Sequence, residues 1–358
     1  MKILIDNIVF SLQNSGGISV YWRELITRFL EKKSLNILFI EEKRANKNIF
    51  RETILINQES VINNKKSNFL FRYRDVKLDF KGDKFIFHST YYRTLNKFVK
   101  RNNEVKEVVT VHDFTYEYYV KGLKKWIHIF QKRRALEVAD VIICISENTK
   151  RDLLIFYPQF ANKRIEVVYN GVADDYFPLK SSTDKLGNSD FFLFVGSRVS
   201  YKNFDFTVKA VSQSSSKHKL KIVGGALNAK ELKLLNEFLP NRWEFFLHVK
   251  NQKLNELYNS CIALLYLSSY EGFGIPILEA MRAGSPFIAM NSSSIPEVAG
   301  NAGVLIDRLD FDEFNKALAI IELNRKEVVE KGLIRAEKFS WEICFQETLN
   351  IYKTLDLK

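Results

Sequence analysis

Residues 271–279 read EGFGIPILE and follow a short apolar run at residues 261–267. The apolar run is typical of a buried strand. Gly272 and Gly274 permit a tight turn with close backbone approach, and Pro276 suits the first turn of a helix, where its missing N–H costs nothing. The stretch therefore predicts a strand, a glycine turn and a helix.

Two glutamates bracket this turn. Glu271 lies on the predicted loop and Glu279 in the first turns of the predicted helix, so both are expected near the helix N-terminus. Free N–H groups and the helix dipole favour phosphate there, and a carboxylate accepts hydrogen bonds from sugar hydroxyls. The segment is suited to hold a nucleotide sugar. The alternative is a Glu271 that only caps the surface and a solvated Glu279.

Apolar runs alternate with helical patterns along the chain, which predicts an α/β fold with parallel sheets. The predicted strands are residues 3–5, 35–40, 84–87, 108–111, 141–145, 165–168, 191–195, 219–223, 243–247, 262–267, 286–290 and 303–306, with helical patterns at 20–30 and 126–139. A polar, turn-rich break at residues 174–190 separates two halves. Residues 41–83 are charged and weakly patterned, and we expect an extra strand or short helices there.

The composition also predicts a two-domain globular protein. A chain of 358 residues with 46% hydrophobic residues is too long for one ordinary core, and neither disorder nor a fibrous class fits it. Cys144, Cys261 and Cys344 show no metal or disulfide spacing, so we expect buried thiols in a reducing cytoplasm. Residues 1–6 read as a first strand rather than a signal peptide, and no apolar run approaches a membrane span.

The net charge of +12 favours an anionic partner. No zinc-finger spacing, RNP-type strand or basic zipper supports nucleic acid, so an anionic membrane is the better partner, with a basic surface lacking any specific partner as the alternative. The basic stretch at residues 121–134 could lie on such a membrane. Its Trp126, Ile127 and Phe130 equally form a core stripe. We prefer the core for the aromatic side chains, with the lysines free to face lipid.

The glutamate pair with its Gly-Phe-Gly, together with SSSIPEVAG at residues 292–300, resembles the signature of the retaining glycosyltransferase family 4. The resemblance covers nearly the whole chain and points to its bacterial O-antigen and capsule mannosyltransferase-like branch. It implies the GT-B fold, with two Rossmann-like domains facing across a cleft. Residues 1–178 would hold the acceptor, residues 179–340 would bind the nucleotide sugar, and a helix at 341–358 would cross back to the N-terminal domain. The alternative is a C-terminal helix on its own domain.

Arg198 and Lys202 follow the first strand of the second half and can reach one anion together. The resemblance assigns them to the donor phosphates, beside Ser197, where they would stabilise the departing nucleoside diphosphate. The alternative is two solvated cations. We expect no metal and no cofactor beyond the nucleotide sugar as co-substrate, and we interpret the bare Asp310-Phe-Asp312 as a helix cap.

The remaining site residues follow from strand ends and from the resemblance. His112 and Asp113 end a predicted strand, where polar side chains line the crevice of an α/β sheet; the family's matching histidine contacts the donor sugar, and Asp113 would orient it or touch the acceptor. The alternative is a structural histidine. His88 is equally a structural or an acceptor-site residue. The family's glycine loop under the donor diphosphate matches Gly16 and Gly17, which otherwise form an ordinary turn. The donor-binding set further includes His248, Val249, Gly272, Phe273, Gly274 and Ile275.

The resemblance thus implies transfer of a hexose, with retention, from a nucleotide sugar to a hydroxyl of a lipid-linked glycan. GDP-mannose is favoured as the donor over UDP-hexoses and dTDP-rhamnose. The expected location is the cytoplasm, at the inner face of the cytoplasmic membrane. Rival functions are a GT-B sugar-nucleotide epimerase or hydrolase, a non-catalytic nucleotide-sugar-binding protein, and a nucleic-acid binder that would rest on charge alone.

Overall fold

The computed structural model describes residues 1–42, 45–63, 71–179, 189–215 and 217–355. It divides the chain into two compact units. The first contains Met1–Asn170 and the segment from Trp341 onward, and the second contains Gly171–Ser340.

The first unit is built on a seven-stranded sheet of order β3-β2-β1-β4-β5-β6-β7, in which all pairs are parallel. Its strands are β1 (Lys2–Asp6), β2 (Asn36–Glu41), β3 (Val61–Asn63), β4 (Lys84–Ser89), β5 (Glu104–Val111), β6 (Val141–Cys144) and β7 (Arg164–Val167). Its helices before the second unit are α1 (Val9–Leu12), α2 (Gly17–Glu31), α3 (Lys97–Asn102), α4 (Thr115–Tyr119), α5 (Leu123–Val138) and α6 (Glu147–Phe156).

The weakly patterned region between β2 and β4 contains the expected extra strand and short helices. The strand is β3, which extends the sheet beside β2. The short helices are 3-10 turns at Ala45–Lys47, Arg51–Thr53, Gln58–Ser60 and Phe71–Tyr73. Residues 43–44 and 64–70 of this region lie outside the described part of the chain.

The second unit has a six-stranded parallel sheet of order β10-β9-β8-β11-β12-β13. Its strands are β8 (Phe191–Val195), β9 (Lys219–Gly224), β10 (Trp243–Leu247), β11 (Leu264–Tyr266), β12 (Phe287–Met290) and β13 (Val304–Ile306). Its helices are α7 (Phe204–Ser214), α8 (Ala229–Phe238), α9 (Asn251–Ser260), α10 (Ile275–Arg282), α11 (Ile295–Ala299) and α12 (Phe311–Ala336), the last kinked at Asn324. The expected α/β fold of two Rossmann-like domains is therefore confirmed.

The structure divides the chain at Asn170, earlier than the boundary that we expected at Pro178. The segment between these positions is tied to the second unit, because the N–H groups of Phe177 and Leu179 donate to the side-chain oxygens of Asn255 (3.2 Å) and Asn259 (2.8 Å) on α9. Polar, turn-rich sequence marked the connection but could not show which unit these backbone groups would bind.

The last helix, α13 (Trp341–Thr354), packs on the first unit, as the sequence led us to expect. Its Tyr352 is fully buried, stacks on Phe29 of α2 with ring centroids 5.5 Å apart, and its hydroxyl lies 2.6 Å from Nδ1 of His88. Val172 and Ser340 pair in a short parallel bridge, so the chain enters and leaves the second unit at one place. The three cysteines are free and buried, as predicted.

Candidate functional site

The second unit has a topological switch point between β8 and β11. The chain starts at β8 in the middle of the sheet, moves outward to β10, and returns to β11 on the other side of β8. In open α/β sheets, ligands bind beyond the carboxyl ends of the strands at such a point. The loops at residues 196–203 and 267–274 leave β8 and β11 here, and they contain most of the predicted donor-site residues.

Hydrogen bonds and an ion pair hold these two loops together. The Ser269 N–H donates to the carbonyl oxygen of Tyr201 at 2.8 Å. The Asn203 side chain donates to the carbonyl of Leu267 at 2.7 Å, from a left-handed backbone conformation (φ 53°) that asparagine tolerates better than most residues. The same amide also donates to Ser269 Oγ at 2.8 Å, and the Lys202 ammonium forms an ion pair with the Glu271 carboxylate.

The Lys202–Glu271 pair brings together two residues that are 69 positions apart in sequence. Both side chains are largely buried, with 14% and 12% of their surface exposed, and the ammonium lies 5.2 Å from the ring centre of Tyr266. A phosphate would have to compete with Glu271 for Lys202. The structure therefore places the predicted phosphate ligand and the predicted sugar ligand in direct contact.

Arg198 is held on two edges of its guanidinium group. Its Nε lies 3.0 Å from Oε2 of Glu231, and its Nη2 donates to the carbonyls of Gly225 (2.7 Å) and Ala226 (2.8 Å). Only 5% of the side chain is exposed. Within the described residues, Nη1 is buried and has no hydrogen-bond partner.

Glycine at position 224 makes this arrangement possible. A Cβ atom there would lie 2.4 Å from the carbonyl oxygen of Gly196 and 2.9 Å from Nη1 of Arg198. Any larger residue would displace the guanidinium or the loop after β8. Sequence reasoning found Arg198 but missed Gly224 and Glu231, because both lie outside the Arg-x-x-x-Lys spacing.

The glycine turn of residues 271–279 is formed as predicted. Gly274 has a positive φ of 117°, and α10 begins directly after it with Pro276 in its first turn. The serine run before α11 supports this turn. The Glu271 N–H donates to Ser293 Oγ at 2.8 Å, and the Ser294 hydroxyl bonds to the carbonyls of Glu271 (2.9 Å) and Phe273 (2.8 Å).

Glu279 lies on α10 and accepts a hydrogen bond from the Tyr258 hydroxyl at 2.9 Å. Burial raises the pKa of Glu279 to about 7, while hydrogen bonds from Tyr258 and Tyr176 act in the opposite direction. A solvated surface glutamate does not describe this residue. It is a desolvated carboxyl group that is partly protonated near neutral pH and can accept or donate a hydrogen bond.

The other donor-site predictions differ in their placement. Ser197 is exposed beside Arg198 on the loop after β8. His248 and Val249 follow β10, which is separated from β8 by β9. His248 is exposed and has a left-handed backbone (φ 47°). His248 and Val249 thus lie at the carboxyl end of the strands, where the donor is expected to bind, but two strands away from β8.

His112 of the first unit directly follows β5 and is buried, with 7% of its surface exposed. The Tyr21 ring of α2 meets its imidazole edge-on at 5.0 Å, and Nε2 has no hydrogen-bond partner among the described residues. Burial lowers the pKa of His112 to about 4, with Lys132 adding to the effect and Asp113 opposing it. The ring is therefore neutral at pH 7, and its Nε2 is buried.

The neighbouring predicted residues have local roles. Asp113 Oδ1 accepts the Thr115 N–H at 2.9 Å at the start of α4. Gly17 begins α2, and a Cβ at Gly16 would lie 2.3 Å from the Gln13 side chain. His88 is fully buried and contacts Tyr352 through Nδ1 and Thr110 Oγ1 through Nε2 (3.0 Å). Of its two predicted roles, the structure supports the structural one.

A buried charge cluster at the carboxyl ends of β1 and β4 was missed by sequence reasoning. Arg93 donates to both carboxylate oxygens of Asp6 and, at 2.9 Å, to Glu42. The Ser89 hydroxyl adds a bond to Asp6 at 2.9 Å. The strand-end positions of Asp6 and Ser89 were the available signal, whereas Arg93 lies 87 residues from Asp6 and has no motif around it.

Within the described residues, no group of three or more His, Cys, Asp or Glu side chains is arranged to hold a metal ion. The Asp310 side chain instead caps α12 by accepting the N–H groups of Asp312 (3.0 Å) and Glu313 (3.1 Å), as predicted. None of the helices in the described part of the chain is long and apolar enough to cross a membrane.

Two parallel-sheet units in one chain, the second with cations and carboxylates at its switch point, match the arrangement expected of GT-B glycosyltransferases. Two family models match adjoining parts of the chain: "Glycosyltransferase Family 4" over residues 15–176 and "Glycosyl transferases group 1" over residues 177–332. The protein belongs to the GT-B glycosyltransferases of the family 4 type.

Two relatives share modest identity with this chain. The O-antigen chain mannosyltransferase B of Escherichia coli is 26% identical over 275 residues, which cover 70% of this chain and 71% of that protein. The O-antigen chain mannosyltransferase RfbU of Salmonella typhimurium is 27% identical over 221 residues, covering 60% and 61%.

Solved structures share the fold over almost the whole chain. Sucrose-phosphate synthase from Thermosynechococcus elongatus has a TM-score of 0.78 at 17% identity, with 99% of both chains covered. Anabaena HepE, solved with UDP and glucose, has a TM-score of 0.72 at 16% identity, with 99% of this chain and 100% of that chain covered.

Proposed function

We propose that the protein transfers mannose, with retention of configuration, from GDP-mannose to a hydroxyl group of a lipid-linked glycan during assembly of a bacterial surface polysaccharide such as an O-antigen or capsule. The observation that carries the transferase activity is the set Arg198, Lys202, Glu271 and Glu279 around the switch point of the second unit. The choice of mannose rests on the similarity to the two O-antigen mannosyltransferases.

The chemistry of this set suits a leaving nucleoside diphosphate. As the bond between the sugar and the diphosphate breaks, negative charge grows on the phosphate oxygens. The Arg198 guanidinium and the Lys202 ammonium would stabilise that charge, because charge-assisted hydrogen bonds are about twice as strong as neutral ones. Two fixed cations would serve where other transferases use a metal ion, so we propose that the reaction needs none.

The carboxyl groups would bind hydroxyls of the donor. We assign Glu271 to the transferred sugar and Glu279 to the ribose, because Glu271 lies on the glycine turn and Glu279 lies further along α10. We also assign the neutral His112 to a sugar hydroxyl, which an imidazole nitrogen can bind. The leaving phosphate would help to deprotonate the acceptor hydroxyl, which gives retention without a covalent sugar–enzyme intermediate. We further propose that the protein works at the inner face of the cytoplasmic membrane, where a lipid-linked acceptor resides.

A donor screen tests the proposal. Thermal unfolding is followed with GDP, UDP and dTDP, since a ligand that binds only the native state raises the melting temperature. We expect GDP to give the largest shift. Turnover is then measured with GDP-mannose and a lipid-linked glycan acceptor, and the anomeric configuration of the product is read by NMR.

Lys202→Ala is the test variant, and Lys209→Ala on α7 is the control with an equal loss of charge. We expect Lys202→Ala to lose most turnover and most of the GDP shift, while the control keeps both. Wild-type turnover in Lys202→Ala would contradict the site assignment. Release of free sugar or of an epimerised nucleotide sugar in the absence of acceptor would instead support the rival hydrolase or epimerase.

A further inference from the structure

Helix α5 buries mostly polar side chains and exposes large apolar ones. Its buried residues are mostly polar, namely His128, Gln131, Lys132, Ala135 and Leu136. Its exposed side includes Leu123, Trp126 and Phe130, with exposed fractions of 74%, 69% and 60%. A surface helix ordinarily turns its apolar stripe toward the core. The prediction that Trp126 and Phe130 lie in the core was therefore wrong. The prediction that the lysines are free to face lipid was wrong for Lys132.

Polar contacts on the inner side fix this orientation. The fully buried Lys132 ammonium bonds at 2.9 Å both to the Glu117 carboxylate and to the carbonyl oxygen of Asp113. The Gln131 amide donates to the carbonyl of Arg72 at 2.9 Å. The imidazole of His128 stacks on Tyr116 with ring centres 3.8 Å apart. Rotating the helix would leave the buried Glu117 carboxylate without its cation, which is costly.

The exposed apolar side chains form one continuous surface. Leu123, Trp126 and Phe130 are spaced three and four residues apart, so they share one side of the helix. Trp126 and Phe130 also line a shallow groove with Tyr73, Ile127 and Arg134. A contiguous exposed apolar surface of this kind marks a site of contact with another molecule or a membrane. We call Leu123, Trp126 and Phe130 the docking face.

The charges around the docking face identify its partner. Residues 121–138 contain six lysines and arginines against one acid, Glu137, but Lys132 is buried against Glu117 and Arg134 pairs with Asp75. Among these cations, Lys121, Lys124 and Arg133 are exposed. An apolar centre surrounded by cations matches the two layers of an anionic lipid surface, where phosphate headgroups lie above acyl chains. An apolar groove on a partner protein would match the apolar side chains, but it would not present the layer of negative charge that an anionic membrane presents to these cations.

We propose that the docking face binds an anionic lipid bilayer, with Trp126 and Phe130 entering the interface and Lys121, Lys124 and Arg133 contacting the headgroups. This deepens the proposed function, since it names the residues that would bring the first unit to a lipid-linked acceptor. Membrane binding is measured without donor or acceptor, so a failed sugar transfer and a failed membrane contact give different results.

Sedimentation with vesicles tests the proposal. Vesicles of phosphatidylcholine alone are compared with vesicles that also contain phosphatidylglycerol, at low and at high salt. The test variant is Trp126→Ala with Phe130→Ala, and the control is Leu323→Ala, which removes a side chain that is 83% exposed on α12 of the second unit. Circular dichroism and thermal unfolding of each variant verify that the fold is intact, as expected for exposed substitutions.

We expect wild type and control to sediment with the anionic vesicles at low salt and to be released as salt rises, because salt screens the headgroup contacts. The double variant should bind at least about 10-fold more weakly than wild type, since the apolar contribution is lost. Equal binding of the double variant and wild type would overturn the proposal, as would equal binding to neutral vesicles. Self-association that the double variant abolishes, without vesicle binding, would overturn it in favour of a protein interface.

Tryptophan fluorescence gives a second readout. The chain has four tryptophans, and Trp22 and Trp341 are buried. Brominated anionic lipids should quench part of the emission in wild type and in the control Trp243→Phe, but not in Trp126→Phe. Quenching that persists in Trp126→Phe would show that this residue does not enter the bilayer.

Discussion

The two glutamates of the glycine turn have different surroundings, which suggests different kinetic roles. Glu271 is paired with Lys202, whereas Glu279 is bound by Tyr258 in a desolvated position. A residue that binds ground state and transition state equally affects KM, and one whose contact strengthens during transfer affects kcat. The two substitutions to glutamine should therefore separate in steady-state kinetics.

We expect Glu279→Gln mainly to raise the donor KM and Glu271→Gln mainly to lower kcat, each by roughly 10-fold or more, in line with the loss of a charged hydrogen bond. Glu271→Gln should also bind the nucleoside diphosphate alone more tightly, since it releases Lys202 from its internal partner. Donor titrations at saturating acceptor and calorimetry with the nucleotide check both statements. The reverse kinetic pattern would exchange the two roles, and wild-type behaviour of both variants would make the turn purely structural.

The orientation of the Arg198 guanidinium depends on Glu231, which contacts its Nε. Glu231 holds the Nε edge of the guanidinium and also closes the capping box of α8, in which Oε2 accepts the Asn228 N–H at 2.9 Å. Substituting glutamine keeps an oxygen for the cap but removes the charge opposite Arg198. Glu231 is thus expected to act as a positioning residue for the diphosphate.

Glu231→Gln should weaken binding of the nucleoside diphosphate by roughly 3- to 10-fold, about the strength of one partly buried ion pair, with little change in melting temperature. Calorimetric titration and thermal unfolding measure the two quantities. Glu237→Gln, an exposed position on the same helix, is the matched control. A large fall in melting temperature with unchanged nucleotide affinity would mean that Glu231 serves only the helix.

Among the elements, strands and long helices were predicted well because their apolar runs are local signals. The predictions for β8 and β10 match the structure at both ends, and most others differ by one to three residues. The ion pairs of Lys202 and Arg93 could not be predicted, since each joins residues that are far apart in sequence. Helix α5 was misjudged because periodicity detects an apolar stripe but does not tell which side of the helix faces the sheet.

The contact between α13 and the sheet of the first unit can be tested separately. Tyr352→Phe keeps the ring that stacks on Phe29 but removes the hydroxyl that contacts His88 Nδ1. The buried imidazole nitrogen is then left without this partner, so we expect the free energy of unfolding to fall by about 1–3 kcal/mol. Urea denaturation measures this change. Tyr73→Phe, which removes a hydroxyl from an exposed residue, is the control, and equal stability of the two variants would contradict the prediction.

In the proposed reaction of the whole molecule, fixed cations of the protein stabilise the leaving diphosphate. We therefore expect turnover to be unchanged, within about a factor of two, after treatment with EDTA, because Arg198 and Lys202 supply the charge that a metal ion supplies elsewhere. Assays before and after chelation, on protein purified without added metals, provide the measurement. Complete loss of activity that Mg²⁺ or Mn²⁺ restores would refute this expectation.

The position of α13 has a consequence for how the protein is made. The first unit begins with residue 1. The apolar surface of α2 that packs against α13 nevertheless stays uncovered until Trp341 and the residues after it have left the ribosome. The second unit, continuous in sequence, can fold while the first still waits for its last helix. A premature stop near residue 340 would thus impair the part of the protein that was synthesised earliest. An isolated first unit should be produced with residues 341–358 joined to residue 170.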